Sequence, residues 1–314
     1  MRVLVTGGSG FVGRHLVPAL AETHEVISVV RRPGSSVGAP KKVVVPDIAA
    51  QDVDWRPALA GVDVVVHLAA RVHVMKDAAE NPLDAYRRVN TDATARLAQQ
   101  AAEVGVRRFV FMSSIKVNGE RTTGVPFTNT DPANPVDPYG VSKWEAEQAL
   151  RAVCQGQAME PVILRPTVIY GPGVGGNIAR IAGLVRRGIP LPLGSVRNRR
   201  SMLSTGNLIA WVSNAIESLI LAELPALISD PYPVSTAELV RYLSEGMGRP
   251  ARLVRFPTAG LCLAGRLTGH VGEVARLTED LEIIPTLSAF GGAVQLARPI
   301  DELRACGRVM GFAT

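Results

Sequence analysis

The sequence is short of the residues that mark several classes of protein. It has three cysteines in 314 residues, Cys154, Cys262 and Cys306, and they lie far apart. An odd number of scattered cysteines fits neither a disulfide framework nor a metal cluster, so we expect no metal site and a cytoplasmic location. No apolar run reaches the roughly 18 residues that a membrane helix needs, and the first residues lack a signal-peptide pattern. We therefore expect no membrane partner.

The chain also lacks a block of like charge. Its formal net charge is +6, from 34 Lys and Arg against 28 Asp and Glu. The arginines are scattered, and no basic segment is interleaved with aromatic residues, which argues against a nucleic-acid partner. Scattered arginines suit a small polyanionic substrate such as a nucleotide equally well. The length is sufficient for one large domain and a smaller one.

Strand-like and helix-like segments alternate through the first half of the chain. Strands are predicted at residues 3–5, 25–30, 42–45, 63–67, 106–112 and 161–165, and helices at 11–22, 83–104 and 138–153. Continuous apolar strands that alternate with helices indicate a parallel sheet covered on both faces. The sequence therefore predicts an α/β protein with a Rossmann-type doubly wound sheet.

Glycine and proline become more frequent after about residue 170. We predict an NAD(P)-binding domain over residues 1–170, with later segments of about 196–230 interleaved in it. Residues 171–314 are predicted to form mainly a smaller, substrate-binding lobe, in which 178–187 is helical.

A glycine-rich turn stands between the first strand and the first helix. Gly7, Gly10 and Gly13 form G-x-x-G-x-x-G. This spacing permits a tight turn, a close approach of a pyrophosphate to the backbone, and close packing of the helix on the strand. We predict a dinucleotide site here, with Phe11 and Val12 among its residues. The alternative is a glycine-rich turn that binds nothing.

The second strand ends without a carboxylate. Where an acidic residue would bond the ribose 2′-hydroxyl of NAD, the chain has Arg31 and Arg32, which suit a 2′-phosphate. We therefore expect NADP(H) to be favoured over NAD(H), against the alternative of a solvated arginine pair. Asp47 and Ile48 end the third strand and are placed to touch the adenine. The alternative is that Asp47 is an ordinary loop residue with no role in cofactor binding.

Three polar residues follow in the order that hydride transfer requires. Ser114 ends a predicted strand, and Tyr139 and Lys143 share one face of a predicted helix. A neighbouring ammonium and a positive nicotinamide are expected to lower the pKa of Tyr139 from about 10 and make it an acid–base group. Lys143 is also placed to bond the nicotinamide ribose, and Ser114 to hold the substrate oxygen. The alternative is an exposed Tyr and Lys near a helix start.

Together these motifs resemble the extended short-chain dehydrogenases/reductases of the nucleotide-sugar epimerase/dehydratase type, over about residues 1–250. The resemblance includes His67-Leu68-Ala69-Ala70, Asn90, Ser113-Ser114 and residues 165–172. It implies a catalytic triad of Ser114, Tyr139 and Lys143, and a homodimer formed through the helices at 83–104 and 138–153. Cofactor contacts are implied for Leu68, Ala69, Ala70, Asn90, Tyr139, Lys143 and Pro166, and substrate contacts for Ser114, Lys116, Asn118, Asn177 and Arg200.

Departures from the family pattern reduce the number of reactions that the resemblance implies. Sugar dehydratases carry Asp-Glu directly after the active-site hydroxyl residue, and this chain has Ile115 and Lys116, which cannot eliminate water. Residues 113–120 are similar to a UDP-sugar 4-epimerase-like branch that includes 4-keto reductases. With the arginine pair, this favours a UDP-4-keto-sugar reductase in surface polysaccharide precursor synthesis. The alternatives are a UDP-sugar 4-epimerase, acting on UDP-glucose/UDP-galactose or their N-acetyl forms, and a non-enzymatic NADP-binding sensor.

Two positions and the C-terminal segment differ from many 4-epimerases. Val168 and Asn207 stand where those proteins have Asn and Asp. The residues from Ile283 onward do not resemble the usual tail of the family, and residues 290–292 and 311–314 are predicted to be irregular.

Overall fold

A parallel sheet organises the chain, as the sequence predicts. The computed structural model describes residues 1–35, 38–39, 41–72, 81–219, 224–290 and 294–312. Within them, seven strands form this sheet: β1 (Arg2–Thr6), β2 (Glu25–Val30), β3 (Lys41–Val44), β4 (Val64–His67), β5 (Arg108–Met112), β6 (Glu160–Pro166) and β9 (Ala226–Ile228). Two further strands, β7 (Val168–Tyr170) and β8 (Met202–Ser204), pair with each other in parallel.

The described residues also form α-helices, some of which cover the two faces of the large sheet. They are α1 (Phe11–Ala21), α2 (Arg56–Leu59), α3 (Pro82–Arg87), α4 (Ala93–Glu103), α5 (Pro138–Cys154), α6 (Gly176–Arg186), α7 (Thr205–Glu217), α8 (Thr236–Gly246), α9 (Thr258–Leu267), α10 (Val271–Thr278) and α11 (Pro299–Phe312). Successive strand residues face opposite sides. Val3 and Val5 accordingly pack in the core with α1 and α7. Leu4 packs in the core on the other side, with α4 and α5.

The order of the strands determines where a ligand can enter. The sheet runs β3-β2-β1-β4-β5-β6-β9, so the chain moves outward from β1 in one direction and then in the other. In such sheets the crevice lies outside the carboxyl ends of the strands at this reversal, between β1 and β4. The glycine turn follows β1 and Leu68–Ala70 follows β4, so both predicted cofactor segments lie at the reversal.

The stretch predicted as helical at 83–104 is helical in the structure, with a π-helical turn inside it. This turn, Arg88–Asp92, joins α3 to α4. The additional residue of a π turn rotates the side chains that follow it by about 100° relative to a continuous α-helix. Asn90 is therefore buried, and its Nδ2 donates to the Arg71 carbonyl at 3.0 Å and to Ser142 Oγ at 2.9 Å. Its Oδ1 accepts from the Arg71 N–H at 2.8 Å.

The C-terminal segment is largely helical, which corrects the prediction that residues 311–312 are irregular. Helix α11 packs on α8, and glycines allow the two backbones to approach closely. A Cβ on Gly246 would lie 2.9 Å from the Arg304 carbonyl carbon, and one on Gly307 would lie 3.1 Å from the Gly246 Cα. These glycines serve close packing and do not break the helix. Phe290 lies in a turn, and residues 291–292 and 313–314 lie outside the described part of the chain.

Asn207 ties the C-terminal segment to the sheet. Its Nδ2 donates to Asp230 Oδ1 at 2.7 Å and to the Ala297 carbonyl at 2.9 Å, and its Oδ1 accepts from the Ala297 N–H at 2.8 Å. Asp230 also accepts from the Tyr170 hydroxyl at 2.7 Å. An aspartate at position 207 could not donate these bonds and would stand beside another carboxylate. The attachment of the C-terminal segment therefore requires an amide, and not a carboxylate, at position 207.

We predict that Asn207→Asp lowers the free energy of unfolding by about 2–4 kcal/mol at neutral pH, because buried acceptors lose their donor and two carboxylates meet. Burial already raises the pKa of Asp230 to about 6, so the loss should shrink as the pH falls and one of the pair is protonated. Urea denaturation measures the effect. The matched change at an exposed position, Asn134→Asp, should cost under about 0.5 kcal/mol; equal losses in both variants would contradict the assignment.

Candidate active site

A cleft of about 570 Å³ opens at the carboxyl ends of β1, β4, β5 and β6. Its walls come from the start of α1, the segments after β4, β5 and β6, one face of α5, and α10. The structure brings nine of the predicted site residues to this cleft: Val12, Leu68, Ala70, Ser114, Lys116, Tyr139, Lys143, Pro166 and Arg200.

The glycine turn has the shape of a pyrophosphate cradle. Gly7 has a φ of 71°, a conformation that favours glycine. A Cβ on Gly7 would lie 2.8 Å from the Ala69 nitrogen, and one on Gly13 would lie 2.5 Å from the Gly8 Cα. Gly10 precedes α1, and no side chain in the described residues caps this helix, so its first N–H groups can bind an anion. The turn therefore fits a dinucleotide phosphate.

The loop after β4 is held from two sides. Thr6 Oγ1 accepts from the Ala69 N–H at 3.2 Å, and Asn90 holds the backbone of Arg71. Buried His67 bridges Thr6 and Thr94 with its two ring nitrogens, at 2.7 Å and 3.0 Å. Burial lowers the pKa of His67 to about 3, so this histidine is a neutral connector. The loop that faces the cradle is thus fixed before any ligand binds.

The residues predicted to contact the adenosine end lie at the neighbouring sheet edge. Because β2 and β3 are parallel neighbours, the segments that follow them lie at the same edge. Arg31 and Arg32 are exposed after β2. Asp47 Oδ1 accepts from the Ala49 N–H at 2.9 Å and shapes its own loop, while Ile48 packs against the core.

Two local caps place Ser114 and Tyr139 together. Ser114 Oγ accepts from the Lys116 N–H at 3.2 Å and begins a 3-10 turn, Ile115–Val117. Asp137 Oδ1 accepts from the Gly140 N–H at 2.7 Å and begins α5 two residues before Tyr139. The Lys116 ammonium pairs with both Asp137 and Glu120, which ties the two caps together. A side-chain hydrogen bond then joins Ser114 to Tyr139.

The protein by itself raises the pKa of Tyr139, whereas the predicted lowering included the charge of a bound nicotinamide. Burial raises this pKa to about 12, although the hydrogen bond from Ser114 acts to lower it. Lys143 does not reverse this, because its Nζ donates to the Met112 carbonyl at 2.8 Å and lies 4.6 Å from the centre of the Phe111 ring. In this structure, desolvation outweighs the neighbouring amine.

Lys143 is itself strongly perturbed. The residue is 1% exposed, and burial lowers its pKa to about 7 against a weaker, opposing effect of Glu147. The Glu147 carboxylate is fully occupied, since Arg165 forms a buried ion pair with it at 2.6 Å and Ser113 Oγ donates to it. A neutralised carboxylate compensates little of the desolvation of Lys143.

The residues predicted to bind the substrate lie in different places in the structure. Lys116 and Arg200 line the cleft, and Asn177 lines an adjoining recess together with Arg200 and Arg276. Asn118 lies beneath the cleft, buried, where its Oδ1 accepts from Arg165 Nη1 at 2.9 Å. Asn118 is therefore placed to support the site from below.

Sequence reasoning missed three residues of this region. Glu147 lies one turn after Lys143 on α5, so its i, i+4 spacing was a usable signal. Arg165 ends the predicted strand that pairs with β5, but no local pattern reveals its buried partner. Arg276 reaches the cleft because α10 packs there, which no motif indicates. Among the described residues, no group of three or more His, Cys, Asp or Glu is arranged to hold a metal.

We predict that Lys143→Met stabilises the fold near neutral pH. An ammonium with a pKa of about 7 in the fold and 10.5 when unfolded costs on the order of 4 kcal/mol at and below pH 7. The substitution also removes the hydrogen bond to the Met112 carbonyl, which reduces the expected gain in stability by about 1 kcal/mol. The penalty disappears as the pH rises toward 10.5, where the unfolded lysine also loses its proton.

Unfolding by urea at several pH values from about 6 to about 10 tests this cost. The advantage of Lys143→Met over the native chain should shrink as the pH rises. The exposed-lysine control, Lys42→Met, should show no such trend. An advantage that is independent of pH would contradict the buried-ammonium explanation.

Comparison with known proteins places the chain in a family of epimerases and dehydratases. The model of the NAD dependent epimerase/dehydratase family matches residues 3–218. A UDP-glucose 4-epimerase of Vibrio cholerae is 44% identical over 287 residues, which cover 90% of this chain and 86% of that protein. An N-acetyl-alpha-D-glucosaminyl-diphospho-ditrans,octacis-undecaprenol 4-epimerase of Escherichia coli O157:H7 is 30% identical over 222 residues, 69% of this chain and 63% of that one.

A solved structure supports the same fold. The UDP-glucuronic acid 4-epimerase of Bacillus cereus, in complex with NAD, superposes with a TM-score of 0.76 at 20% identity, covering 99% of this chain and 96% of that one. With the cleft, the glycine cradle and the family match taken together, the chain belongs to the NAD-dependent epimerase/dehydratase family and is an NAD(P)-dependent enzyme of the extended short-chain dehydrogenase/reductase type.

Proposed function

We propose that this enzyme is a UDP-sugar 4-epimerase. The observation that carries the proposal is the 44% identity to a UDP-glucose 4-epimerase along most of both chains. Ser114, Tyr139 and Lys143 all line the same cleft, which supports the proposal. The 4-keto reductase expected from Arg31 and Arg32 finds no support in these relatives, and the epimerase alternative fits them better.

We also propose that NAD is the cofactor. The expected preference for NADP(H) is not supported, because the family is described as NAD-dependent and the related Bacillus cereus structure holds NAD. Arg31 and Arg32 are exposed, as the alternative of a solvated pair requires. The first N–H groups of α1 and the backbone of Gly7–Gly10 would hold the pyrophosphate. When bound there, NAD would supply the group that accepts and returns a hydride at C4 of the sugar.

Tyr139 is proposed to move the proton that accompanies this hydride. In its phenolate form, the Tyr139 oxygen would accept the proton of the 4-hydroxyl as C4 loses its hydride, and the C4–O4 bond would become a carbonyl. The sugar then presents its other face, and Tyr139 returns the proton to O4 as the hydride returns to C4. A pKa of about 12 leaves this phenol protonated at neutral pH, so it needs positive charge nearby to accept a proton. An oxidised nicotinamide would supply such charge, whereas the Lys143 ammonium is directed at the Met112 carbonyl in this structure.

Tyr139→Phe is expected to reduce turnover by roughly 10²–10⁴-fold while NAD stays bound, because only the proton-carrying oxygen is removed. The native protein should interconvert UDP-glucose and UDP-galactose, or their N-acetyl forms, without net change in reduced cofactor. Product analysis and cofactor absorbance measure both. Stoichiometric consumption of reduced cofactor with a UDP-4-keto sugar would establish the reductase instead. An absence of turnover on every nucleotide sugar would favour the sensor.

Two arginines are proposed to bind the diphosphate of the substrate. Arg200 precedes β8 and Arg276 lies on α10, and both line the cleft and the adjoining recess that includes Asn177. Burial lowers the pKa of Arg200, whose Nη1 donates to the Glu279 carbonyl at 3.0 Å. A phosphate beside these guanidinium groups would receive charge-assisted hydrogen bonds in a partly desolvated site.

For Arg276→Ala we expect KM for the UDP-sugar to rise by roughly 10- to 100-fold, because a charge-assisted bond to the diphosphate is lost in ground and transition states alike. The turnover number should change far less. Steady-state kinetics separate the two effects. Arg241→Ala, a matched change at an exposed position on α8, should leave both constants unchanged. An unaltered KM in Arg276→Ala would contradict this role.

The oligomeric state, the domain division and the location of the protein remain predictions. The homodimer implied by the family resemblance would form through the helices α4 and α5. The division into a cofactor-binding domain and a mainly substrate-binding lobe near residue 170, and the cytoplasmic location, belong to the same proposal.

A further inference from the structure

Helix α9 carries apolar side chains on the side that faces solvent. Its inner side is formed by Leu261, which packs in the core of the second half, and by Gly265. A Cβ on Gly265 would lie 2.7 Å from Val274 Cγ2, so α9 is closely packed on α10. On the opposite side, Leu263 is 57% exposed and Leu267 is 79% exposed. A surface helix normally has polar residues there.

The apolar surface extends beyond the helix on both sides. The Phe256 ring lies against Gly260 at the start of α9, and a Cβ on that glycine would lie 2.7 Å from it. Val271 is exposed at the start of α10. We call this surface the α9 patch, and its residues are Val254, Phe256, Leu263, Leu267 and Val271. An exposed apolar patch of this kind is typical of an interaction site.

The sequence around the α9 patch is predominantly basic. Residues 249–272 contain four arginines and no Asp or Glu. These are Arg249, Arg252, Arg255 and Arg266, and all four are exposed. Within the described ranges none of them forms an ion pair, and the next carboxylate along the chain, Glu273, pairs with His270 and Arg180 instead. The patch therefore lies in a segment whose arginines have no ion-pair partner among the described residues.

We propose that the α9 patch docks on the surface of an anionic lipid bilayer. Leu263 and Leu267 would enter the headgroup boundary, and the arginines would contact anionic headgroups. Charge complementarity favours the bilayer over a second copy of the chain, because a two-fold contact through this patch would bring four unpaired arginines against the same four. The contact is peripheral, since no helix of the described residues is long and apolar enough to cross a membrane. The proposal differs from the sequence-based expectation of no membrane partner, which stays a prediction.

The position of the patch relates it to the cleft. Helix α10, on which α9 packs, contributes Gly272, Ala275 and Arg276 to the cleft wall. Docking through α9 would therefore hold the cleft next to the bilayer. The docking proposal itself rests on charge and exposure and does not depend on which sugar nucleotide is bound.

Co-sedimentation with vesicles tests the proposal on the full chain. The protein should bind vesicles of phosphatidylglycerol and phosphatidylethanolamine at low salt, and bind weakly to pure phosphatidylcholine or at high salt. Arg252→Gln/Arg255→Gln should weaken partitioning onto the vesicles by roughly 30-fold. Each arginine near an anionic surface contributes about 1 kcal/mol of binding free energy, and the loss of two corresponds to about this factor. Leu263→Gln/Leu267→Gln should weaken it by at least about tenfold.

The control is Val125→Gln/Val136→Gln, which changes two exposed apolar residues elsewhere and should bind as the native chain does. Turnover of a water-soluble UDP-sugar should be the same in all three variants, which shows that they fold. Absence of binding to anionic vesicles at low salt would overturn the proposal, as would binding that survives both patch substitutions. Sedimentation velocity distinguishes the other occupant: a dimer that Leu263→Gln/Leu267→Gln dissociates, without vesicle binding, would identify the patch as a contact between copies.

Discussion

The buried ion pair between Glu147 and Arg165 is the interaction on which the active region depends. It joins α5 to β6, and it also engages Ser113 at the end of β5 and Asn118 beyond the 3-10 turn. Breaking such a pair leaves an uncompensated charge, which costs about 3–5 kcal/mol. The helix that carries Tyr139 and Lys143 is therefore held against the sheet by polar contacts that tolerate little displacement. Lys143 loses hydration in the same environment, so anchoring the helix and perturbing the amine have one cause.

The sequence predicted what local patterns control. The glycine turn follows from the spacing of Gly7, Gly10 and Gly13, and the shared face of Tyr139 and Lys143 follows from helix geometry. The parallel sheet follows from continuous apolar strands. The direction of the Tyr139 pKa could not be predicted, because it depends on how deeply packing buries the phenol and on where Lys143 points. Arg276 likewise comes from a helix whose position only tertiary packing determines.

Local rules failed where a residue type has more than one use. Gly311 suggested an irregular ending, yet glycines in α11 such as Gly307 also allow this helix to cross α8 at short range. Arg31 and Arg32 suggested a 2′-phosphate, yet an exposed pair at the end of a strand is also simply solvated. The π turn at Arg88–Asp92 was not predicted because a single period of 3.6 residues describes only regular α-helix. In each case the missing information lies in the three-dimensional structure and not in the local pattern.

The attachment of the C-terminal segment through Asn207 also determines how late in synthesis the fold can be completed. Helix α7 and the Asp230 carboxylate emerge from the ribosome well before Ala297, which supplies both backbone partners of the Asn207 side chain. Until that segment arrives, the amide has unpaired groups and the face of α8 that α11 covers stays in water. A nascent chain that has completed its parallel sheet therefore still exposes apolar surface from its second half. Chaperones would encounter a nascent chain whose parallel sheet is complete and whose second half still exposes apolar surface.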